Sequence, residues 1–433
     1  MKRVTVLLLV FVLVVASVGC GNNTAADTPE ESVETSSSSS PEDLEGEITI
    51  WSWDVALEDL RAKAEVFNQS YPNVEFNFEE MGTSQVYSKL TTSLASGIGL
   101  PDIVSLEGEQ MAKFGTKFPE AFVELTDVVD TSKFLPLKVS EVTVNGKVMA
   151  YPWDAAPAIL FYRADLFEQA GVDASTIKTW DDYIDAGKMI DQKLGIKMLP
   201  MAYSRSDTMY RIIMMQQGGF YFDAEGNTSV NSAESIKAME TVKAFYDAGI
   251  TANDISWDDK MILLKDSKVA SIAEAVWMVG SIKDAAPDTS GNWRVMPLPS
   301  FGDEAYTGSN GGSCVAIPKA TQSKEAAVKF LEFAMTDVDG LVKGFQDYGL
   351  YPSYIPAYDA DEFSAGLDFF GGQAIYEVAN EAAVNMPEVN FTENFAEVLD
   401  NMKNAVNQVL VEGNDPSETL ATFQNDFENK FGQ

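Results

Sequence analysis

The side chains that could do chemistry in this 433-residue chain are limited first by its composition. There is no histidine, which excludes Ser-His-Asp and Cys-His catalysis and His-ligated metal sites. The only cysteines are Cys20 and Cys314, and Cys314 lies in a short apolar run typical of a small buried residue. The glycine-rich segment 308–312 lacks the Lys-Ser/Thr pair of a nucleotide-binding P-loop. We therefore expect no cofactor, no metal and no catalysis that depends on histidine or cysteine.

Length and charge narrow the class of protein further. The chain is long enough for two domains with sizeable cores. Its formal net charge of −36 argues against nucleic acid or another anionic polymer as a partner. The charge fits a soluble protein in a salty external medium, and a generic solvated acidic surface explains it equally well.

The N-terminus has the three parts of a secretory signal. Lys2 and Arg3 precede an apolar run over 4–18, and small residues lead to Cys20. The cysteine after Gly19 resembles a bacterial lipobox, although Ser17 stands where Leu, Val or Ile is usual. We predict a signal peptide over 1–19 and a lipid on Cys20. The alternative is an uncleaved membrane helix, and either interpretation places the rest of the chain outside the cytoplasm.

Residues 20–46 have the composition of a flexible linker. They are rich in Ser, Thr, Glu, Asp and Asn, with five consecutive serines at 36–40. Such a segment buries too little apolar surface to offset its ordering entropy. We predict a tether that holds the folded part off a membrane.

The hydrophobic pattern after the linker predicts an α/β fold. It begins strand, helix, strand, helix, strand, which implies right-handed crossovers and a parallel sheet. The predicted strands are 47–53, 73–79, 102–106, 147–152 and 158–162. The predicted helices are 57–70, 84–96, 164–170, 179–193, 208–217, 232–248, 323–335, 394–411 and 416–431. Thr179 is predicted as a helix N-cap, with carboxylates in the first turn.

Seven segments spread over nearly the whole mature chain match one known pattern in the same order. They are ITIW at 48–51, LPDIV at 100–104, YPWD at 151–154 with ILFYRADLF at 159–167, TWDD at 179–182, KVASIAEAVW at 268–277, GGSCVAIP at 311–318 and AAVKFLEF at 326–333. Together they resemble the extracellular solute-binding proteins of carbohydrate ABC importers, the group that includes maltose-binding protein. Each motif alone is weak, and their shared order carries the resemblance.

The resemblance implies a two-lobed, periplasmic-binding-protein-like fold of class II, in which the chain crosses the hinge three times. A lipid-anchored receptor on the outer face of the bacterial cytoplasmic membrane would close around a sugar or oligosaccharide and deliver it to ABC permease subunits. The crossings are expected near 151–158, 295–300 and 349–356. Lobe 1 would comprise 47–151 and 300–348, and lobe 2 would comprise 152–299 and 349–433.

The resemblance also implies the binding residues. A sugar presents a face of C–H groups and a rim of hydroxyls, which suit flat aromatic rings and carboxylates. Among the seven tryptophans, Trp51 is interpreted as core and Trp180 as a packing anchor. The predicted ligand contacts are Trp53, Asp54, Gln85, Glu107, Glu109, Trp153, Asp154, Tyr203, Arg205, Trp277, Gly311, Gly312 and Tyr351.

Two alternatives stay open from the sequence. The same fold could bind a polyamine or another non-sugar solute, and polyamine sites also use aromatic rings and carboxylates. A secreted glycoside hydrolase could use Glu107 and Asp154 as its two carboxylates. Carboxylates are expected in a sugar cleft for binding alone, and the resemblance is to a family without enzymatic activity, so no turnover is expected.

Overall fold

The computed structural model describes residues 44–302 and 306–431. The predicted signal peptide, the predicted lipid site at Cys20 and most of the predicted linker lie outside these ranges. Leu44 is buried and the first strand begins at Gly46. The folded part therefore already includes the last residues of the segment predicted as linker (20–46).

The described residues combine short strands with many helices, which confirms the predicted α/β class. The strands are β1 (Gly46–Ser52), β2 (Val74–Glu80), β3 (Ile103–Glu107), β4 (Thr143–Val144), β5 (Lys147–Val148), β6 (Tyr151–Pro152), β7 (Ala158–Arg163), β8 (Leu199–Pro200), β9 (Thr251–Ala252), β10 (Ser271–Ala275), β11 (Trp293–Met296) and β12 (Ser313–Ala316). The helices are α1 (Asp54–Phe67), α2 (Thr83–Ser96), α3 (Gly108–Lys117), α4 (Pro136–Val142), α5 (Ala164–Ala170), α6 (Trp180–Leu194), α7 (Thr208–Met215), α8 (Ala233–Asp247), α9 (Trp257–Lys265), α10 (Met278–Ala285), α11 (Lys324–Thr336), α12 (Val338–Tyr348), α13 (Ile375–Val384), α14 (Phe395–Leu410) and α15 (Pro416–Phe431).

The first sheet has five strands in the order β2-β1-β3-β12-β6. β1 pairs in parallel with β2 and β3, with Ile50 opposite Ile103, as the strand-helix alternation predicts. β12 inserts antiparallel between β3 and β6, and Cys314 pairs with both Leu106 and Pro152. Cys314 is fully buried there, which agrees with its prediction as a small apolar residue.

The second sheet is antiparallel, with β7 between β10 and β11. All five residues of β10 are buried, and β7 is buried except for Tyr162. This burial explains why neither strand alternates between apolar and polar residues and why both are mostly apolar, apart from Ser271 and Glu274 in β10 and Arg163 in β7. A short parallel pair, β8 and β9, lies beside β10, where the Ser271 amide donates to the Met198 carbonyl at 2.8 Å.

Over the described ranges, the chain passes three times between the half of the fold built on the first sheet and the half built on the second, after β6, after β11 and after α12. The passages contact one another through isolated bridges, Asp154 with Pro352 and Pro157 with Ser309. Three adjacent connecting segments therefore join the two halves of the fold.

Local signals explain several element boundaries. Thr179 caps α6 with a capping box, since its hydroxyl accepts from the Asp182 amide and Asp182 accepts from the Thr179 amide. The predicted strand 147–152 is instead two strands: β5 forms a hairpin with β4 around Asn145 and Gly146, whereas β6 joins β12. Both turn residues have positive φ, which is the backbone geometry of a tight hairpin.

The described part of the chain has neither a membrane-spanning helix nor a metal-binding cluster of side chains. No helix there combines the length and the apolar character needed to cross a bilayer. Within 44–302 and 306–431, no three His, Cys, Asp or Glu side chains are grouped as a metal site.

Candidate ligand-binding cleft

The carboxyl ends of β1 and β3 bring four of the predicted residues to one edge of the first sheet. Trp53 and Asp54 follow β1, while Glu107 ends β3 and Glu109 lies in the first turn of α3. Tyr87 joins the two groups, because its hydroxyl donates to Glu107 Oε2 at 2.8 Å and its ring meets Trp53 edge-on with centroids 6.5 Å apart. This edge thus offers a half-buried indole beside carboxylates.

Gly311 and Gly312 allow the segment between β11 and β12 to approach the segment between β6 and β7 closely. Both have positive φ, 105° and 98°. A Cβ on Gly312 would lie 2.7 Å from the Asp154 carbonyl oxygen and 2.7 Å from Lys138 Nζ. The next amide, that of Ser313, donates to Asp154 Oδ1 at 2.8 Å. Only glycine fits this position, because the Asp154 carbonyl oxygen and Lys138 fill the space that a side chain would need.

Asp154 is buried, and burial raises the pKa of its carboxyl even though Lys138 and the Ser313 hydrogen bonds oppose that shift. The Ser313 amide donates a hydrogen bond to this carboxylate, and that bond joins two of the segments that connect the halves of the fold.

Trp277 follows β10 and faces the segment between β11 and β12. Its Nε1 donates to the Asn310 carbonyl at 2.9 Å, and a Cβ on Gly311 would lie 3.7 Å from that nitrogen. The ring of Trp257, at the start of α9, lies 5.8 Å from that of Trp277 at an angle of 46°. Trp257 is 42% exposed. The two indoles form an aromatic corner, partly open to solvent, next to glycine backbone.

A chain of polar side chains runs from the first sheet to this corner. Glu109 Oε2 lies 3.3 Å from Arg211 Nη1, and Arg211 Nη2 donates to Asn310 Oδ1 at 2.5 Å. Asn310 Nδ2 then donates to Glu274 Oε1 at 2.7 Å. Burial raises the pKa of Glu109 against the opposing effect of Arg211. Burial disfavours the Arg211 charge, but Asp207 and Glu109 outweigh it and raise its pKa.

Tyr203 and Arg205 lie in the second half of the fold, in a group centred on Asp254. Arg205 Nη2 is 2.9 Å from Asp254 Oδ1, and the Tyr203 hydroxyl is 2.7 Å from Thr251 Oγ1. Burial raises the pKa of Asp254 despite Lys260 and Arg205. Lys260 also lies 3.2 Å from Glu274 Oε2. The Asp254 group is therefore linked to the aromatic corner through charged side chains.

Two of the predicted contacts are core residues, which corrects their assignment to the cleft surface. Trp153 is 1% exposed, and its carbonyl accepts from both the amide and the hydroxyl of Ser353. Tyr351 is 0% exposed; its hydroxyl donates to Asn380 Oδ1 and its ring meets Phe345 edge-on at 5.6 Å. Both residues flank passages between the sheets, and their rings pack inward to stabilise those passages.

Asp54 and Gln85 are exposed. Asp54 begins α1 with a positive φ of 27°, and Gln85 lies in the first turn of α2. Each follows a strand of the first sheet, so both stand at the rim of the same edge. Trp51 and Trp180 are both buried, as their interpretation as core and packing residues requires.

A separate groove of about 890 Å³ lies between residues 131–143 and residues 218–224, with 388–390 along one side. Its lining includes none of the predicted ligand contacts. Volume alone would favour this groove as the binding site. We assign the candidate site to the cleft instead, because indoles, carboxylates and open glycine backbone converge there.

Sequence reasoning missed Arg211, Asn310, Glu274 and Trp257. Two of them leave a signal in the sequence: Arg211 interrupts the apolar run of α7, and Glu274 interrupts that of β10. A charge in a buried run needs a partner. Nothing local identifies Asn310, since its partners are 99 and 36 residues away in the sequence.

The fold is shared with solved bacterial binding proteins. The sugar-binding protein MalE of Xanthomonas citri superposes with a TM-score of 0.77 at 18% identity, over 88% of this chain and 96% of the other. The binding protein of Bifidobacterium animalis subsp. lactis Bl-04, solved with β-1,6-galactobiose, gives a TM-score of 0.73 at 24% identity, over 89% and 97%. The two-lobed fold predicted by the resemblance is confirmed.

Sequence comparison gives the family. Residues 62–371, well over half of the chain, match the family of bacterial extracellular solute-binding proteins. The lactose-binding protein of Rhizobium radiobacter is 33% identical over 392 residues, 88% of this chain and 92% of the relative. The arabinooligosaccharide-binding protein of Bacillus subtilis is 27% identical, over 94% of each chain. The chain belongs to the bacterial extracellular solute-binding proteins.

Proposed function

We propose that this protein captures a sugar or oligosaccharide outside the cytoplasm and delivers it to an ABC import permease. The observation that carries the proposal is the aromatic corner of Trp257 and Trp277 beside the glycine backbone of Gly311. Indole faces suit the C–H faces of a pyranose or furanose ring. The printed names of the relatives, a lactose-binding and an arabinooligosaccharide-binding protein, support the same ligand class.

Polar groups around the corner would hold the hydroxyls. Glu107 and Glu109 stand on the first sheet, and Arg205 stands on the second half of the fold. A carboxylate can accept from two adjacent hydroxyls, and a guanidinium can donate to ring and hydroxyl oxygens. Such an arrangement binds a neutral polyol without requiring a charged ligand.

Binding would proceed by closure of the two halves around the solute, with lobe 1 as 47–151 and 300–348 and lobe 2 as 152–299 and 349–433. The three adjacent passages between the sheets support this mechanism, because a hinge requires connections that lie close together. A solute drives closure only through better contacts with the closed form. The permease would then recognise that closed form.

A receptor role without catalysis is favoured over the hydrolase alternative. A glycosidase needs two carboxyl groups that both face the scissile bond. Asp154 is buried and its carboxylate accepts from the Ser313 amide, which leaves Glu107 without the partner that the alternative named.

Calorimetric titration with lactose, maltose, β-1,6-galactobiose, lacto-N-biose and arabino-oligosaccharides tests the proposal, with putrescine and spermidine as the competing class. We expect saturable, one-to-one binding of at least one sugar and none of either polyamine. Chromatography after prolonged incubation should return the bound sugar intact. Binding of a polyamine without binding of any sugar would overturn the proposed ligand class. Multiple turnovers of a bound sugar would instead support the hydrolase alternative.

Membrane anchoring through Cys20 is a second part of the proposal and rests on the signal-like residues 1–19. Replacing Cys20 with alanine should release the protein into the medium or leave unprocessed precursor, because no thiol remains at the predicted lipidation site. Cell fractionation and intact mass measure the outcome, and Cys314→Ala serves as the matched control. A Cys20→Ala protein that is processed and membrane-bound like the wild type would refute the anchor.

A further inference from the structure

Asn310 lies on the second passage between the two sheets, one residue before Gly311, and all four of its polar groups have partners. Its amide N–H donates to the Ala156 carbonyl at 3.1 Å, and its carbonyl accepts from Trp277 Nε1 at 2.9 Å. Its side-chain oxygen accepts from Arg211, and its side-chain nitrogen donates to Glu274. One residue thus contacts three separate segments of the chain: the one at Ala156, helix α7, and the end of β10 with the residues that follow it.

We propose that Asn310 is the positioning residue of the cleft, which fixes the Trp277 indole and the Arg211 guanidinium relative to each other. The inference rests on the proposed sugar-binding function and deepens it. Asn310 acts through other residues, so its contribution is the geometry of the stacking surface before a ligand arrives. Pre-organised groups bind more tightly because less ordering is required on association.

The chemistry at this point requires an amide. Arg211 is a pure donor and Glu274, as a carboxylate, is a pure acceptor, so the side chain between them must accept from one and donate to the other. An asparagine side chain does both at fixed geometry. Aspartate would preserve the contact with Arg211 and place a second negative charge against Glu274. Serine would be too short to keep both contacts.

The location of Asn310 connects this geometry to the two halves of the fold. Arg211, on α7, donates to Asn310 through one terminal nitrogen. Its other terminal nitrogen contacts Glu109 on α3, the helix that follows β3 of the first sheet. Glu274 is 1% exposed and also contacts Lys260, on α9, at 3.2 Å. A charge introduced at Asn310 would therefore lie directly beside Arg211 and Glu274. The next charged groups are Glu109 and Asp207 around Arg211, and Lys260 beside Glu274.

Two readouts test the inference: the affinity of the full protein for the sugar panel above, and the hydrogen exchange of the Trp277 indole N–H without ligand. That N–H signal is identified by its loss in Trp277→Phe. For Asn310→Asp we expect roughly tenfold or greater loss of affinity at pH 7.5, and indole exchange about tenfold faster than in the wild type. The affinity deficit should shrink toward pH 5, where the new carboxyl gains a proton and can donate to Glu274.

Asn404→Asp is the matched control, since it makes the same charge change at an exposed position of α14 and should alter neither readout. If Asn310→Asp does not fold, Asn310→Ser gives the neutral test, with the same losses but no pH dependence. A folded variant at position 310 with wild-type affinity and wild-type indole protection overturns the assignment. If the wild type binds no sugar of the panel, the proposed function fails, and the indole exchange alone decides the role of Asn310.

Discussion

Replacing Trp277 with alanine is expected to weaken sugar binding by roughly ten- to hundredfold. The loss corresponds to about 1–3 kcal/mol for one well-packed aromatic contact. The ring is only partly buried, lies against Trp257 and is held through Nε1 by the Asn310 carbonyl, so it already has the orientation that a sugar ring would meet. Calorimetric titration of the folded variant measures the effect directly.

Trp180→Ala is the comparison that separates binding from stability. Trp180 is 2% exposed, and its Nε1 donates to Gln216 Oε1 at 3.0 Å. Its ring meets Tyr183 edge-on and packs against Phe245, with centroids 5.5 and 5.3 Å away. Removing it should cost about 3–5 kcal/mol of unfolding free energy and leave the affinity per folded molecule unchanged. A Trp277→Ala protein with wild-type affinity would remove Trp277 from the binding site.

Replacing Gly312 with alanine is expected to lower the free energy of unfolding by roughly 3 kcal/mol or more. The backbone there has a φ of 98°, and the new Cβ would lie 2.7 Å from the Asp154 carbonyl oxygen. Two passages between the sheets would have to separate, which would also disturb the hydrogen bond from the Ser313 amide to Asp154. Urea unfolding monitored by tryptophan fluorescence gives the difference.

Gly97→Ala provides the control for the backbone conformation alone. Gly97 ends α2 with a φ of 72°, and no heavy atom lies within 4 Å of its hypothetical Cβ. Its substitution should cost only about 1–2 kcal/mol. Equal costs at the two glycines would show that the close approach at Gly312 contributes nothing to stability.

The parts of the fold that the sequence predicts well are those with local causes. Alternation over 47–53 and helical spacing over 57–70 depend on neighbouring residues, and the structure has β1 and α1 there. The N-cap at Thr179 is likewise decided within four residues. Helix α3 was not predicted, because it begins at Gly108 and contains Gly115, and glycine ordinarily weakens a helix.

The candidate site was predictable only in part, because side-chain direction is a tertiary property. Trp153 and Trp277 have similar local surroundings in sequence, each close to the end of a strand and to a carboxylate. Packing turns one indole into the core and leaves the other partly open. The role of Asn310 could not be predicted for a related reason, since its partners on α7 and β10 are brought to it only by the tertiary fold.

The position of β12 has a consequence for the order in which the protein can fold. This strand is internal to the first sheet, yet its partners on β3 precede it by about two hundred residues, as in the pairing of Val315 with Ser105. Until the chain through Ala316 has been synthesised, β3 and β6 lack the neighbour that joins them. Contacts so distant in sequence form slowly. The emerging chain therefore has an unpaired edge along β3 while about two hundred further residues are synthesised.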